Sequence, residues 1–169
     1  MNTEPWTLRP LEEADLDDVL ALNQRWVPHV GSATRDGLAG IAAVCSLTLV
    51  ARSADGALAG FVMVLAPHAD YHSPNFRFFS ERSDDFRYVD RIAVDPSAQG
   101  TGLGRRLYDA VFAHAVGSGA GRVNAEVNLE PPNPGSQAFH AALGFVEVGR
   151  QWTYDDTVRV QLLERPVTT

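Results

Sequence analysis

The alternation of apolar and polar positions predicts a series of short elements. Trp6 to Leu11 has strand character, and Ala14 to Val27 reads as a helix with Leu16, Val19, Leu20, Trp26 and Val27 on one face behind the acidic start Glu12, Glu13 and Asp15. A second helix is expected over Thr34 to Cys45. The apolar runs Leu47 to Arg52 and Leu58 to Leu65 flank Ser53-Ala54-Asp55-Gly56, whose Asp-Gly step is a hairpin signal. Phe86 to Asp95 returns to strand character. After Gly100 to Gly104 a helix follows, with Leu103, Leu107, Ala110 and Val111 on one stripe. Arg122 to Leu129 reads as a strand, Pro134 or Ser136 to Leu143 as a helix, and Phe145 to Gln151 and Val158 to Leu163 as closing strands. This order predicts one unit over 1–169 with a mixed sheet covered by helices.

Residues 67–85 break the pattern. They carry His68, Tyr71, His72, Phe76, Phe78 and Phe79 without a helical or strand period, which predicts an aromatic-rich loop acting as a substrate lid. The three phenylalanines suit a core, a dimer contact or a hydrophobic wall against a substrate.

Composition narrows the function classes. The chain has 169 residues, 45% hydrophobic and 21% charged, which fits one globular domain. Its 21 acidic residues against 14 basic ones give a net charge of −7, so no basic field is present to hold nucleic acid. Cys45 stands alone, which excludes an internal disulfide and paired-cysteine zinc frameworks. With no charged-then-apolar leader and no long apolar span, the expected setting is the cytoplasm, away from membranes.

The strongest local feature is Gln99-Gly100-Thr101-Gly102-Leu103-Gly104-Arg105-Arg106, between a buried-type strand and an amphipathic helix. Glycines permit positive φ and clear side chains from the inside of the turn, so backbone N–H groups converge at a helix start that favours a diphosphate. A turn that only reverses the chain uses the same glycines. A dinucleotide fold needs a different glycine spacing in the first strand-turn-helix, and a triphosphatase loop needs Gly-Lys-Ser or Gly-Lys-Thr, so neither matches.

Taken with Tyr88-Val89-Asp90-Arg91-Ile92-Ala93-Val94-Asp95-Pro96 before it, the turn resembles the acetyl-coenzyme A signature of the GCN5-related N-acetyltransferases. Asn133-Pro134-Gly135-Ser136-Gln137-Ala138-Phe139-His140-Ala141-Ala142-Leu143-Gly144-Phe145 is similar to the later helix-to-strand segment of that family. The resemblance implies a mostly antiparallel sheet of six or seven strands flanked by helices on both faces. It also implies acetyl-CoA as acyl donor, held in a V-shaped gap between the strand ending near Val94 and the strand ending near Asn128. Ile92, Ala93 and Val94 would meet the pantetheine arm by main chain, with the Ile92 amide facing the acetyl carbonyl. Gln99, Gly100, Thr101, Gly102, Gly104 and Arg105 would wrap the diphosphate, and Asn133, Ser136 and Phe139 would contact the pantetheine and its sulfur end.

Acetylating an amine needs its neutral form, and an ordinary lysine-like amine is deprotonated only about four times in ten thousand at pH 7, so a base or a water chain is required. Glu126, on the strand lining the gap, is similar in position to a Glu of the ribosomal-protein acetylase subgroup, although Glu130-Pro131-Pro132 lengthens the spacing to Asn133. Asp90 is the second candidate; alternation would put Tyr88, Asp90, Ile92 and Val94 on one strand face. Either carboxylate is equally suited to pairing with Arg91 or Arg122. His140 stands where the family often has Tyr beside the sulfur; an imidazole can donate a proton there, or serve as a packing residue. Tyr88 and Tyr108 are alternative donors. His68, Asp70 and His72 alternate along an extended segment but lack a fourth ligand, so no metal is expected.

The expected function is acetyl transfer from acetyl-CoA to a primary amine of a small-molecule or amino-acid-like acceptor by direct attack in a ternary complex. Peptide or ribosomal-protein N-terminal acetylation is the enzymatic alternative, and an acyl-CoA-binding sensor or a structural-interaction protein the non-catalytic ones. Pairing of the edge strands would allow a homodimer.

Overall fold

A computed structural model describes residues 5–153 and 155–168. In chain order the elements are β1 (Trp6–Pro10), α1 (Leu16–Arg25), α2 (Arg35–Val44), β2 (Leu47–Ser53), β3 (Leu58–Leu65), α3 (Pro74–Ser80), β4 (Arg87–Val94), α4 (Leu103–Gly117), β5 (Arg122–Glu130), α5 (Pro134–Ala142), β6 (Val146–Thr153) and β7 (Val158–Pro166). The seven strands form one sheet in the order β1-β2-β3-β4-β5-β7-β6. All neighbours run antiparallel except β4 and β5, which are parallel and joined through α4. The mixed α/β architecture with a mostly antiparallel sheet is thus the one expected.

Helices cover both faces. On one, α4 and α5 bury Leu103, Leu107, Val111 and Leu143 against Val62, Val64, Val89, Val123 and Val127. On the other, α1 and α2 bury Leu16, Val19, Leu22 and Leu38 against Val50, Phe61 and Met63. The helix over Ala14 to Val27 is shorter than its apolar stripe suggested, because a 3-10 turn at Glu13–Asp15 precedes it. Asp15 is buried there by Arg9 (2.7 Å) and Arg52 (2.6 Å), tying the turn to β1 and β2.

The segment expected to be a loop contains α3. Ser73 caps it by accepting from the Phe76 N–H (3.1 Å), and Pro74 occupies its first turn, where the missing N–H is harmless. Phe76 and Phe79 are buried against Phe86, Tyr88 and Leu162, so they belong to the core and not to a wall facing substrate. Only Tyr71, Ser73 and Asn75 of this region reach the large cleft described below.

Strand phase is the second departure. Opposite Met63 and Val64 lie Arg91 and Val89, which leaves Asp90 as an extra residue in β4. The bulge reverses the alternation. Val89, Ile92 and Val94 therefore pack toward α4, while Tyr88 and Ala93 face the opposite side, so Tyr88, Ile92 and Val94 do not share a face.

Phe79→Ala tests whether α3 is core: about 3–5 kcal/mol of stability should be lost in denaturant unfolding. A mobile lid residue would leave the unfolding midpoint unchanged.

Candidate active site

The β4–β5 pairing stops almost as soon as it starts. Arg87 pairs with Val123 and Tyr88 with Asn124, after which β5 stays with β7 and the two strands part. A cleft of about 660 Å³ occupies the opening, walled by Asp90, Ile92, Ala93 and Val94 on β4, by Ala125, Glu126 and Asn128 on β5, and by the starts of α4 and α5.

The glycine turn closes one end. Asp95 accepts from the Ser97 N–H (2.9 Å) and hydroxyl (2.7 Å) and from Arg25 (2.7 Å), fixing the exit of β4. Gly100 (φ +71°) and Gly102 (φ +91°) take the left-handed conformations that an L side chain resists. Gly102 leads directly into α4, whose first-turn N–H groups have no partners within the helix and point at the turn. Gly104 brings the helix start close to α5: a Cβ there would lie 3.1 Å from Phe139 Cζ, and the ring would have to shift by a few tenths of an ångström. Gln99, Gly100, Gly102, Gly104 and Arg105 line the cleft, as do Asn133, Ser136, Phe139 and His140 of the α5 segment. Thr101 does not; its hydroxyl turns back to the Ala98 carbonyl. Asn133 also caps α5, accepting from the Ser136 N–H (3.3 Å).

Two kinds of comparison with known proteins meet this geometry. Residues 12–145 match the model of the acetyltransferase (GNAT) family. Over 151 residues the chain is 33% identical to glucosamine 6-phosphate N-acetyltransferase 1 of Oryza sativa subsp. japonica, covering 85% of this chain and 83% of that protein. The chain belongs to the acetyltransferase (GNAT) family.

Solved structures of the same fold include Ard1 from Thermoplasma volcanium (TM-score 0.80, 19% identity, covering 98% of this chain and 99% of that one). A GNAT superfamily phosphinothricin acetyltransferase from Sinorhizobium meliloti, in complex with acetyl-CoA, is another (TM-score 0.71, 21% identity, covering 96% and 89%). This GNAT chain is an acetyl-CoA-dependent N-acetyltransferase, and its glycine turn, leading into a helix start whose first N–H groups have no partner within the helix, suits the donor's diphosphate.

Two carboxylates lie at the inner end of the GNAT cleft. The Asp90 side chain is 5% exposed, and it accepts from Tyr71 Oη (2.6 Å) and Arg91 Nε (3.1 Å). Burial raises its proton affinity, and Arg91 and Tyr71 only partly oppose that. Glu126 is less well partnered: Oε2 is buried without a hydrogen bond, and so is Tyr88 Oη. The phenol is nevertheless near enough to lower the carboxyl's proton affinity, as is Asn75; burial foremost and the charge of Asp90 outweigh both and push Glu126 up to about 8.

His140 is buried within α5. Its Nδ1–H donates to the Ser136 carbonyl (2.8 Å), so in the neutral ring Nε2 accepts from Tyr108 Oη (2.7 Å). Burial lowers the imidazole's proton affinity, with the Ser136 carbonyl partly opposing it. The expected donor thus has no free proton in its resting tautomer, and the nearest hydroxyl is that of Tyr108. His68, Asp70 and His72 lie off the cleft wall, and no metal-ligand cluster of three or more is found among the described residues. No helix of the described residues is long and apolar enough to cross a membrane.

The sequence reading missed Trp26, Pro28, His29, Val30 and Gly31 from the α1–α2 connection, and Ser73 and Asn75 from α3, all on the cleft wall. Ser73-Pro74 was the readable signal for α3, a cap followed by a first-turn proline. The α1–α2 connection carries no comparable pattern.

Gly104→Glu should weaken acetyl-CoA binding at least about tenfold by calorimetry, since its Cβ meets Phe139 and its carboxylate opposes the diphosphate. A glutamate in the first helical turn suits the helix dipole, so the melting temperature should hold.

Proposed function

We propose that this enzyme transfers the acetyl group of acetyl-CoA to a primary amine on a small-molecule or amino-acid-like acceptor, with Glu126 as general base. The supporting observation is an underpartnered carboxyl in the β4–β5 opening, raised to about 8. At pH 7 about one tenth of such a group is ionised, and it holds an abstracted proton far better than an ordinary carboxylate does. The acceptor would enter between the α1–α2 connection and α3, where Trp26, Tyr71 and Asn75 narrow the approach to Glu126.

Acetyl-CoA, when bound, supplies an activated acetyl carbonyl. Glu126 takes a proton from the acceptor ammonium, directly or through one water, leaving a neutral nitrogen. The edge of β4 beyond Tyr88, released from β5, offers main-chain donors toward the acyl oxygen, with the Ile92 N–H as the proposed contact. As the nitrogen bonds to the carbonyl carbon the C–S bond breaks, and the leaving thiolate would take a proton from Tyr108 Oη, which is held by His140 (2.7 Å) against Phe139 with ring centroids 5.9 Å apart. The charge of Asp90 strengthens the ionised Glu126 as a proton acceptor, and Tyr71 and Arg91 hold Asp90 in place.

Thiol release from acetyl-CoA across a panel of primary amines tests the reading. The chain contains no lysine, so acetylation of its own side-chain amines does not obscure the signal. Glu126→Gln should lower kcat/KM by about 10²-fold or more while acetyl-CoA affinity is kept. Wild-type kcat/KM should rise toward a limb near pH 8, because the base works only when ionised, and the Gln variant should lose that limb. An unchanged rate would remove Glu126 from the role, and flat thiol release with every amine would favour a sensor.

A further inference from the structure

The charge of the inner cleft says what an acceptor can carry beside its amine. Arg91 is a cation of the cleft wall whose charge reaches Glu126, and its side chain is 10% exposed. Its Nε donates to Asp90 (3.1 Å), while Nη1 donates to Asn23 Oδ1 (3.0 Å) and to the Gly31 carbonyl (2.8 Å). Three of its five N–H groups thus go to Asp90 and to bracing the α1–α2 connection, and Asp90 balances its charge. Among the described residues of the wall the other basic groups are Arg105, at the glycine turn on the donor end, His29, exposed at the rim, and His140, whose ring nitrogens are taken by the Ser136 carbonyl and Tyr108 Oη. With Asp90 paired to Arg91, the inner group is neutral while Glu126 is protonated and carries −1 whenever Glu126 acts as a base.

From this arrangement we infer that the acceptor is a primary amine borne on an uncharged or cationic body, and that a phosphate or carboxylate near the amine is selected against. The inference rests on the proposed function and narrows its acceptor. It separates this chain from its 33% identical relative, whose name carries a phosphorylated amino sugar. A dianion in the inner cleft would meet a guanidinium already neutralised by Asp90 and the negative charge that Glu126 develops during turnover, a repulsive element of the kind that sets specificity. A second ammonium would meet carboxylates and the aromatic faces of Trp26 and Tyr71.

Matched acceptor pairs test this with the full chain and acetyl-CoA: glucosamine against glucosamine 6-phosphate, an alkylamine against the corresponding diamine, and an amino-acid amide against the free amino acid. The anionic member should be at least about tenfold poorer in kcat/KM, and the diamine no worse than the monoamine. Asp90→Asn should release the Arg91 charge and shrink the penalty for glucosamine 6-phosphate relative to glucosamine, even where overall turnover falls. Preference for glucosamine 6-phosphate over glucosamine overturns the inference; if His29→Ala abolishes that preference, the rim histidine is the anion site instead. Should no amine be turned over while acetyl-CoA still binds, the function reading fails. The same pairs compared by calorimetry then decide the inference, which falls if the anionic members bind as tightly.

Discussion

Everything functional in this chain depends on the failure of β4 and β5 to stay paired. A parallel pair gains its stability from a continuous ladder, and here the ladder ends after Tyr88↔Asn124. Two features accompany the parting. Asp90 is an extra residue in β4, which remains bonded to β3, and β5 stays paired with β7 along its length, shifting register only between Asn128 and Glu130. Each strand therefore has one satisfied edge, and the edges facing the gap hold main-chain donors and acceptors without a partner strand. Such groups call for a ligand or water. The glycine turn at the end of β4 and the start of α4 then aligns a helix N-terminus with the opening, so a diphosphate and an extended arm can be held along one line.

The bulge also places the chemistry. By reversing the alternation of β4 it sends Ile92 and Val94 toward α4 while Tyr88 stays beside α3. On β5, Val123, Ala125 and Val127 pack in the α4 core, which directs the intervening Asn124, Glu126 and Asn128 to the other face. The carboxyl of Glu126 thus emerges on the side where α3 and the α1–α2 connection form a wall, opposite α4 and the glycine turn that opens it. In the proposed direct attack, donor and acceptor would reach the gap from different faces of one sheet.

The succession of elements and the glycine turn were legible because period and positive-φ residues are local signals. Leu103, Leu107 and Val111 marked α4, and Gly100 and Gly102 marked its approach. The α3 segment was obscured because its apolar residues, Phe76, Phe78 and Phe79, are too few and too closely spaced to show a helical period, although Ser73-Pro74 announced its start. The bulge at Asp90 was invisible, since one surplus residue is defined only by the register of the neighbouring strand. For the same reason Asp90 was grouped with Ile92 and Val94, and its hold on Tyr71 and Arg91, contacts from 19 residues away and next door, could not be weighed. His140 could be read as a departure from the family, but its tautomer depends on Tyr108, 32 residues distant.

Two buried carboxyls show how the same side-chain type serves opposite ends. Asp15 is held by Arg9 foremost and by Arg52, which depress its proton affinity, so its contribution to stability is present above the ordinary carboxylate range and is lost on acidification. Glu126 makes no ion pair among the described residues, and burial foremost, with the charge of Asp90, raises it to about 8 against the weaker pull of Arg91. The sign is reversed: folding is favoured while Glu126 is protonated, and that advantage disappears as pH climbs from the ordinary carboxylate range through 8. A carboxyl kept for stability alone would be paired as Asp15 is, or replaced by an apolar residue like its neighbours Ala125 and Val127. Buried polar atoms without partners destabilise a fold, and Glu126 Oε2 and Tyr88 Oη lie together in the opening between β4 and β5. The strain is local to the cleft, where an incoming amine would supply the missing hydrogen bond and the missing charge.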